Sequence, residues 1–277
     1  MVDIAVHDLG GTGPPLLLAH ATGFHGLVWR AVSRQLADAF HTISFDERGH
    51  GDSGLPPGRD FDWRGFGQDI LTVVDGVGLE RPFGVGHSSG ATAMLLAEQA
   101  RPGLFRAIYC YEPILVAADP PLGRDQANWL AGATRRRREI FPSRSEAAAA
   151  YAPKPPFVSW APEVLDDYVD YGFADQPDGT VILKCRRESE ALVYEMATAN
   201  DAYARLGEIR CPVMLAGGAD SESMTPAAIT AMAGRFPNAQ TEILPGVGHL
   251  GPFEQPGLVA ASIRRFAETV PTPPAPS

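Results

Sequence analysis

The chain has 277 residues, 45% hydrophobic and 20% charged, with a formal net charge of −10. That length suits one large α/β domain with an insertion or two small domains, and the composition is that of a soluble globular protein rather than a disordered one. The acidic balance argues against nucleic acid or an anionic membrane as the main partner. No apolar run approaches the roughly 20 residues that span a bilayer. The start "MVDIAVHDLG" carries acids where a secretory leader would have a basic region, so a cytoplasmic protein is expected. Cys110, Cys185 and Cys211 are odd in number and widely spaced, which implies neither a disulfide framework nor a zinc site.

In chain order, "PLLLAH" (15–20), "HTISFD" (41–46), "FGVGH" (83–87), "AIYCYEP" (107–113), "VMLAGG" (213–218) and "TEILPG" (241–246) read as buried strands ending in turn residues. Helical patterns lie between them. "LVWRAVSRQLADAF" repeats Val28, Val32, Leu36 and Phe40 along one face, and "GQDILTVVDGVG", "SGATAMLLAEQA" and "PAAITAMAGRF" follow. This alternation predicts an α/β fold with a mostly parallel sheet covered by helices on both faces. From 119 to 210 the rhythm breaks. "PEVLDDYVDYGF" lines up Val164, Leu165, Tyr168 and Val169, and "SEALVYEMATANDAYARL" lines up Leu192, Val193 and Met196. Because "VMLAGG" then resumes the pattern, 119–210 reads as a helical cap inserted into a core of 1–118 and 211–270. Its mild aromatic enrichment suits a lid over an apolar pocket. The proline-rich end, 271–277, is expected to be disordered.

Gly86-His87-Ser88-Ser89-Gly90 fits G-x-S-x-G between a strand and a helix. A serine on so tight a turn needs neighbours without a Cβ, and the helix behind it offers N–H donors. Ser88 sits in the motif's frame and Ser89 supplies backbone. Further on, "LAGGADSES" puts Asp220 just past a strand, and "LPGVGHLGPFEQP" puts His249 in a glycine-rich loop past the last one. The order Ser88, Asp220, His249 is that of a nucleophile elbow served by later loops. His249 would take the proton of Ser88, and Asp220 would orient and stabilise the imidazolium.

With these motifs, together with "LLLAHATGFHG" (16–26) and "SFDERGHGDSG" (44–54), the chain resembles the α/β-hydrolase superfamily over nearly its whole length, in its serine-hydrolase, esterase-like form. The resemblance implies an eight-stranded, mostly parallel sheet with the cap inserted after strand six. It also implies an oxyanion hole, here the backbone N–H groups of Thr22 and Ser89. The usual His-Gly pair of that loop reads His20-Ala21. Relatives often carry a proline a few residues after the acid, and "DSESMTP" is slightly long for that. Glu222 therefore competes with Asp220, and Glu112 is a third candidate because some relatives carry the acid there.

Other features have plainer readings. His20, His50 and His87 are expected to make loop hydrogen bonds, and no pair stands at ligand spacing, so no metal is expected. No cofactor is implied. Asp46 and Arg48 are expected to hold the "DERGHGDSG" turn. The run Arg135 to Arg138 reads as a solvated helix face more readily than as an anion site. The expected activity is hydrolysis of a small or medium apolar carboxylic ester or lactone through an acyl-enzyme. The same three residues could serve C–C bond hydrolysis, perhydrolysis or cofactor-free oxygenation, and a non-catalytic ligand-binding homologue is the remaining alternative. An ester-like small molecule is the expected partner, and homo-oligomer formation is left open.

Overall fold

The computed structural model describes residues 2–118 and 121–271. Strands β1 (Val6–Gly11), β2 (Pro15–Ala19), β3 (His41–Phe45), β4 (Phe83–His87) and β5 (Ala107–Tyr111) precede the excursion that contains β6 (Ile140–Phe141), β7 (Phe173–Asp175) and β8 (Val181–Leu183). Strands β9 (Val213–Gly218) and β10 (Ala239–Leu244) follow. The helices are α1 (Arg30–Leu36), α2 (Trp63–Val77), α3 (Ser89–Ala100), α4 (Trp129–Arg135), α5 (Arg144–Tyr151), α6 (Pro162–Gly172), α7 (Arg187–Glu195), α8 (Pro226–Ala233), α9 (Gly251–Glu254) and α10 (Pro256–Thr269).

The main sheet runs β1-β3-β2-β4-β5-β9-β10, parallel throughout except for the antiparallel pair β1–β3. Alternation along each strand divides the core. Leu16 and Leu18 of β2 point into one apolar cluster with α1 and α10, while Leu17 and Ala19 point into a second with α2, α3 and α8. Both faces are covered, so these strands carry unbroken apolar runs. The six strands read from the sequence are all present. The sheet described has seven strands rather than eight: β1 forms the outer antiparallel edge, and its sequence "VHDLGG" is too polar and glycine-rich to advertise a strand. The excursion accordingly leaves after the fifth strand of the chain, not the sixth.

The segment between β5 and β9 is mixed rather than purely helical, because β6, β8 and β7 form a small antiparallel sheet among α4 to α7. Its arginine run is solvated only in part, since Arg136 and Arg138 are exposed while Arg135 and Arg137 turn toward α7. Arg135 bonds Glu188 at 2.9 Å and Glu195 at 2.6 Å, and Arg137 bonds Glu190 at 2.5 Å, so the run braces α4 against α7. The tail expected to be disordered lies outside the described residues from 272 onward. No helix among the described residues is long and apolar enough to cross a membrane.

Register sets what meets above the sheet. His87 stands beside Tyr111, Tyr111 beside Ala216, and Leu244 beside Gly218, so the turns leaving β4, β5, β9 and β10 open side by side. Gly90 packs its Cα face against the carbonyls of Ala19 and His20, where an added Cβ would lie inside van der Waals contact of backbone. Gly90→Ala should therefore cost about 1–3 kcal/mol, as overpacking does. A melting temperature lower by several degrees than wild type is the expected result in a thermal scan.

Candidate active site

The turn from β4 into α3 is the tightest of the four. Ser88 adopts φ 54° and ψ −117°, a left-handed conformation that costs a non-glycine residue about 1–3 kcal/mol. Gly86 permits it, since a Cβ there would collide with the backbone of Ala91. The Ser88 N–H donates to Tyr111 O at 2.9 Å, and the Ser88 C=O accepts from Thr92 N–H at 3.2 Å, which locks the turn between β5 and α3. Ser88 is only 8% exposed.

His249 arrives from the loop after β10. Its Nε2 lies 3.2 Å from Ser88 Oγ and its Nδ1 lies 2.7 Å from Glu112 Oε2. Since the Glu112 carboxylate accepts a hydrogen bond from Nδ1–H, the proton of the neutral ring stays on Nδ1 and Nε2 is left as the bare acceptor for the serine hydroxyl. Three backbone contacts hold the loop. Tyr111 Oη donates to Gly248 O at 2.7 Å, Gly248 N–H donates to Glu254 Oε2 at 2.7 Å, and His87 Nε2 donates to His249 O at 2.8 Å.

The carboxylate on His249 is thus Glu112, not Asp220 or Glu222. Glu112 directly follows β5 and has the second left-handed backbone of the site, φ 43°. Its side chain is fully buried, and it accepts from Gly218 N–H at 2.9 Å and from Ser221 Oγ at 2.7 Å as well as from His249. Asp220 and Glu222 are both exposed. The reason lies in the turn after β9, where the Asp220 N–H binds Val247 O at 3.0 Å and the inward-facing position falls to Ser221. Ser221 also caps Ser223 N–H and Met224 N–H, each at 3.2 Å. The sequence held one overlooked signal: Glu112 ends the wholly buried run "AIYCY", and a charge there needs partners.

Thr22 lies in the turn closed by Phe24 N–H on Ala21 O at 3.2 Å, and Ser89 opens α3, where the first amides have no carbonyl one turn back. Contact of Gly90 with the His20 carbonyl keeps these two segments adjacent. The other histidines serve as loop braces. His20 Nε2 accepts from Glu47 N–H at 2.9 Å, and His50 Nδ1 lies 3.0 Å from Arg48 O. Asp46 accepts from Gly26 N–H at 2.7 Å and Asp52 N–H at 2.8 Å, while Arg48 clasps Asp69 through two bonds of 2.7 Å. Among the described residues, no group of three or more His, Cys, Asp or Glu side chains is arranged to hold a metal ion.

Aromatic rings from the loop after β2, from α9 and from the excursion pack together beside His87. Phe24 and Phe253 touch at 4.8 Å between centroids, Trp160 lies 4.8 Å from Phe253, and Phe253 lies 5.2 Å from His87. Gly23, between Thr22 and Phe24, is in contact with the Glu190 carboxylate of α7.

A left-handed serine between strand and helix, a histidine and a buried carboxylate, mounted on neighbouring ends of a parallel sheet, define the class of α/β enzymes built around a nucleophile elbow. The chain matches the profile of the alpha/beta hydrolase family over residues 16–262 and belongs to that family. It is similar to 2-(acetamidomethylene)succinate hydrolase of Mesorhizobium japonicum, 22% identical over 93% of this chain and 89% of that one. It is likewise similar to the pimeloyl-[acyl-carrier protein] methyl ester esterase of Nitrosospira multiformis, 26% identical over 96% and 98%. Among solved structures, E-2-(acetamidomethylene)succinate hydrolase superposes with a TM-score of 0.82 at 21% identity, covering 95% and 94% of the two chains. A malate-bound esterase from Thermogutta terrifontis superposes with a TM-score of 0.74 at 24% identity, covering 98% and 95%. The named relatives are hydrolases, which supports hydrolase activity for this chain.

Burial also sets how the fold responds to acid. Desolvation lowers the pKa of His20 to about 3, of His25 and His50 to about 4, and of His87 well below the usual histidine range. Unfolded histidines titrate near 6.5, so below that pH the unfolded chain gains protons that the folded one refuses. Stability should fall as pH drops from about 6.5 toward 4, by at most on the order of 5 kcal/mol per pH unit for four such groups. Glu47 works in the opposite sense, because burial, with Asp69 adding, holds its pKa well above the usual carboxylate value. Urea midpoints at pH 7 and pH 5 measure the net effect, which is expected to favour the higher pH.

Proposed function

We propose that this hydrolase uses Ser88 as nucleophile, His249 as general base and Glu112 as the acid that orients it, cleaving a small or medium, mainly apolar carboxylic ester or lactone. The observation that carries this reading is the hydrogen-bonded line from Ser88 Oγ through the His249 ring to the buried Glu112 carboxylate, with steps of 3.2 and 2.7 Å. Ser88 Oγ attacks the carbonyl carbon as its proton passes to His249 Nε2, and the Thr22 and Ser89 amides hold the oxyanion. Collapse expels the alcohol, which takes that proton and leaves an acyl-Ser88. Water, deprotonated by His249, then releases the acid.

Two features support an uncharged, apolar acyl group. Aromatic rings pack beside the site, and Arg137, which donates to Tyr168 Oη at 2.8 Å, is already paired with Glu190. Among the relatives, a methyl ester esterase is so named, in keeping with ester cleavage.

A series of p-nitrophenyl esters of increasing acyl length, assayed with wild type and Ser88→Ala, tests the reading. A Ser88-dependent rate that peaks with chain length is expected. Equal inertness of both proteins on every ester would put C–C bond hydrolysis, perhydrolysis, oxygenation or simple ligand binding ahead of esterolysis. On the ester that wild type cleaves best, Glu112→Gln should lower kcat by on the order of 10³–10⁴, because the imidazole loses the acceptor that fixes its tautomer. Asp220→Asn should leave kcat within about twofold, as surface substitutions usually do. The reverse ranking would return the acid to the β9 turn.

A further inference from the structure

We infer that Glu254 is a positioning residue that couples seating of the segment over the site to the geometry of His249; this rests on His249 being the general base. Glu254 ends the short helix α9, and its two carboxylate oxygens face different ways. Oε2 accepts from the N–H of Gly248, the residue before the histidine, at 2.7 Å. Oε1 accepts from Ser159 Oγ, in the 3₁₀ turn Phe157–Ser159 of the covering segment, at 3.3 Å.

The neighbouring backbone makes the same connection. The Phe253 carbonyl accepts from Ala161 N–H at 2.8 Å, and the Phe253 ring lies between those of Trp160 and His87, whose Nε2 holds the His249 carbonyl. Movement of residues 157–161 therefore acts on the backbone on both sides of His249, on the Val247–Gly248 peptide through the Glu254 carboxylate and on the His249–Leu250 peptide through Phe253 and His87. Gly248 is held at its carbonyl by Tyr111 Oη and at its N–H by Glu254, so the Glu254 bond is the restraint on the approach of Nε2 to Ser88 Oγ that reaches the covering segment. Small errors there are costly, since misplacement of a catalytic group by about 1 Å can reduce the rate on the order of 10²-fold.

The test combines kinetics with a readout that does not need turnover. Glu254→Ala should lower kcat for a short-chain p-nitrophenyl ester about tenfold or more with little change in KM. Glu254→Gln, whose amide oxygen can still accept from Gly248, should recover most of it. Ser159→Ala, which removes only the distal arm, should lower kcat about two- to threefold in the wild-type background and leave it unaltered in Glu254→Ala. In parallel, the downfield proton resonance of the His249 Nδ1–H···Glu112 bond should shift or broaden in Glu254→Ala and return in Glu254→Gln. Unchanged kcat and an unchanged resonance in Glu254→Ala would overturn the inference while leaving a Ser88-dependent esterase intact. So would additive effects of Ser159→Ala and Glu254→Ala. Inert wild type with a perturbed resonance would instead sink the esterase reading and leave the positioning role standing. If Glu254→Ala proves unfolded, the comparison of Glu254→Gln with Ser159→Ala carries the test: equal losses, or a larger loss in Gln with KM raised, would refute it.

Discussion

A carboxylate with no exposure to solvent is held at the end of β5 only because three donors converge on it, and much of the site follows from satisfying that charge. An isolated buried carboxylate would be strongly destabilising. Glu112 avoids that cost through Gly218 N–H, Ser221 Oγ and His249 Nδ1, one donor from the end of β9, one from the turn after it and one from the loop after β10. The same bonds that solvate the charge fix the imidazole ring. They also join the turns of three strands that are far apart in the chain, so the loop positions are mutually constrained rather than independently flexible.

The strained backbone falls at two residues of the candidate site. Ser88 and Glu112 both occupy left-handed backbone, and both directly follow neighbouring parallel strands. Such conformations persist only when the surroundings over-determine them. For Ser88 the surroundings are the close contact of Gly90 with the β2 carbonyls, the absence of a Cβ at Gly86 and the bond to Tyr111 O. Tyr111 is central in a second way, because its hydroxyl reaches Gly248 O and so links β5 to the histidine loop. Above this framework, ion pairs of Arg135 and Arg137 with α7 stiffen the covering segment, and its Trp160 packs on Phe253 of α9.

The elements that carry an unambiguous pattern were readable. Five buried strands, the α3 helix and the glycine-flanked serine announce themselves through apolar runs and through residues that only a tight turn requires, while β10, also expected to be buried, is an edge strand of which only Leu244 is. β1 was not readable, since a polar edge strand lacks a continuous apolar run, and neither was the small sheet of β6 to β8, whose strands are two or three residues long. The arginine run divides for a physical reason: Arg136 and Arg138 meet water, as a charge run usually does, but Arg135 and Arg137 meet glutamates from α7, about fifty residues later.

Sequence by itself determined the α/β alternation, the serine of the strand-to-helix turn and the histidine, because each rests on local chemistry: periodic burial, a turn that needs glycine, a histidine in a glycine-rich loop past the last strand. Tertiary structure alone decided which carboxylate reaches the histidine. Asp220 and Glu112 both follow wholly buried strands, and locally they differ only in that Glu112 adjoins its strand directly while Ala219 separates Asp220 from β9. The choice depends on which side chain the neighbouring turns direct inward, and that is fixed by Asp220 N–H binding Val247 O, by Ser221 facing in, and by the left-handed backbone of Glu112. Those are contacts between residues separated by more than a hundred positions along the chain in the case of Glu112 with Gly218 and Ser221, and only the folded sheet brings them together.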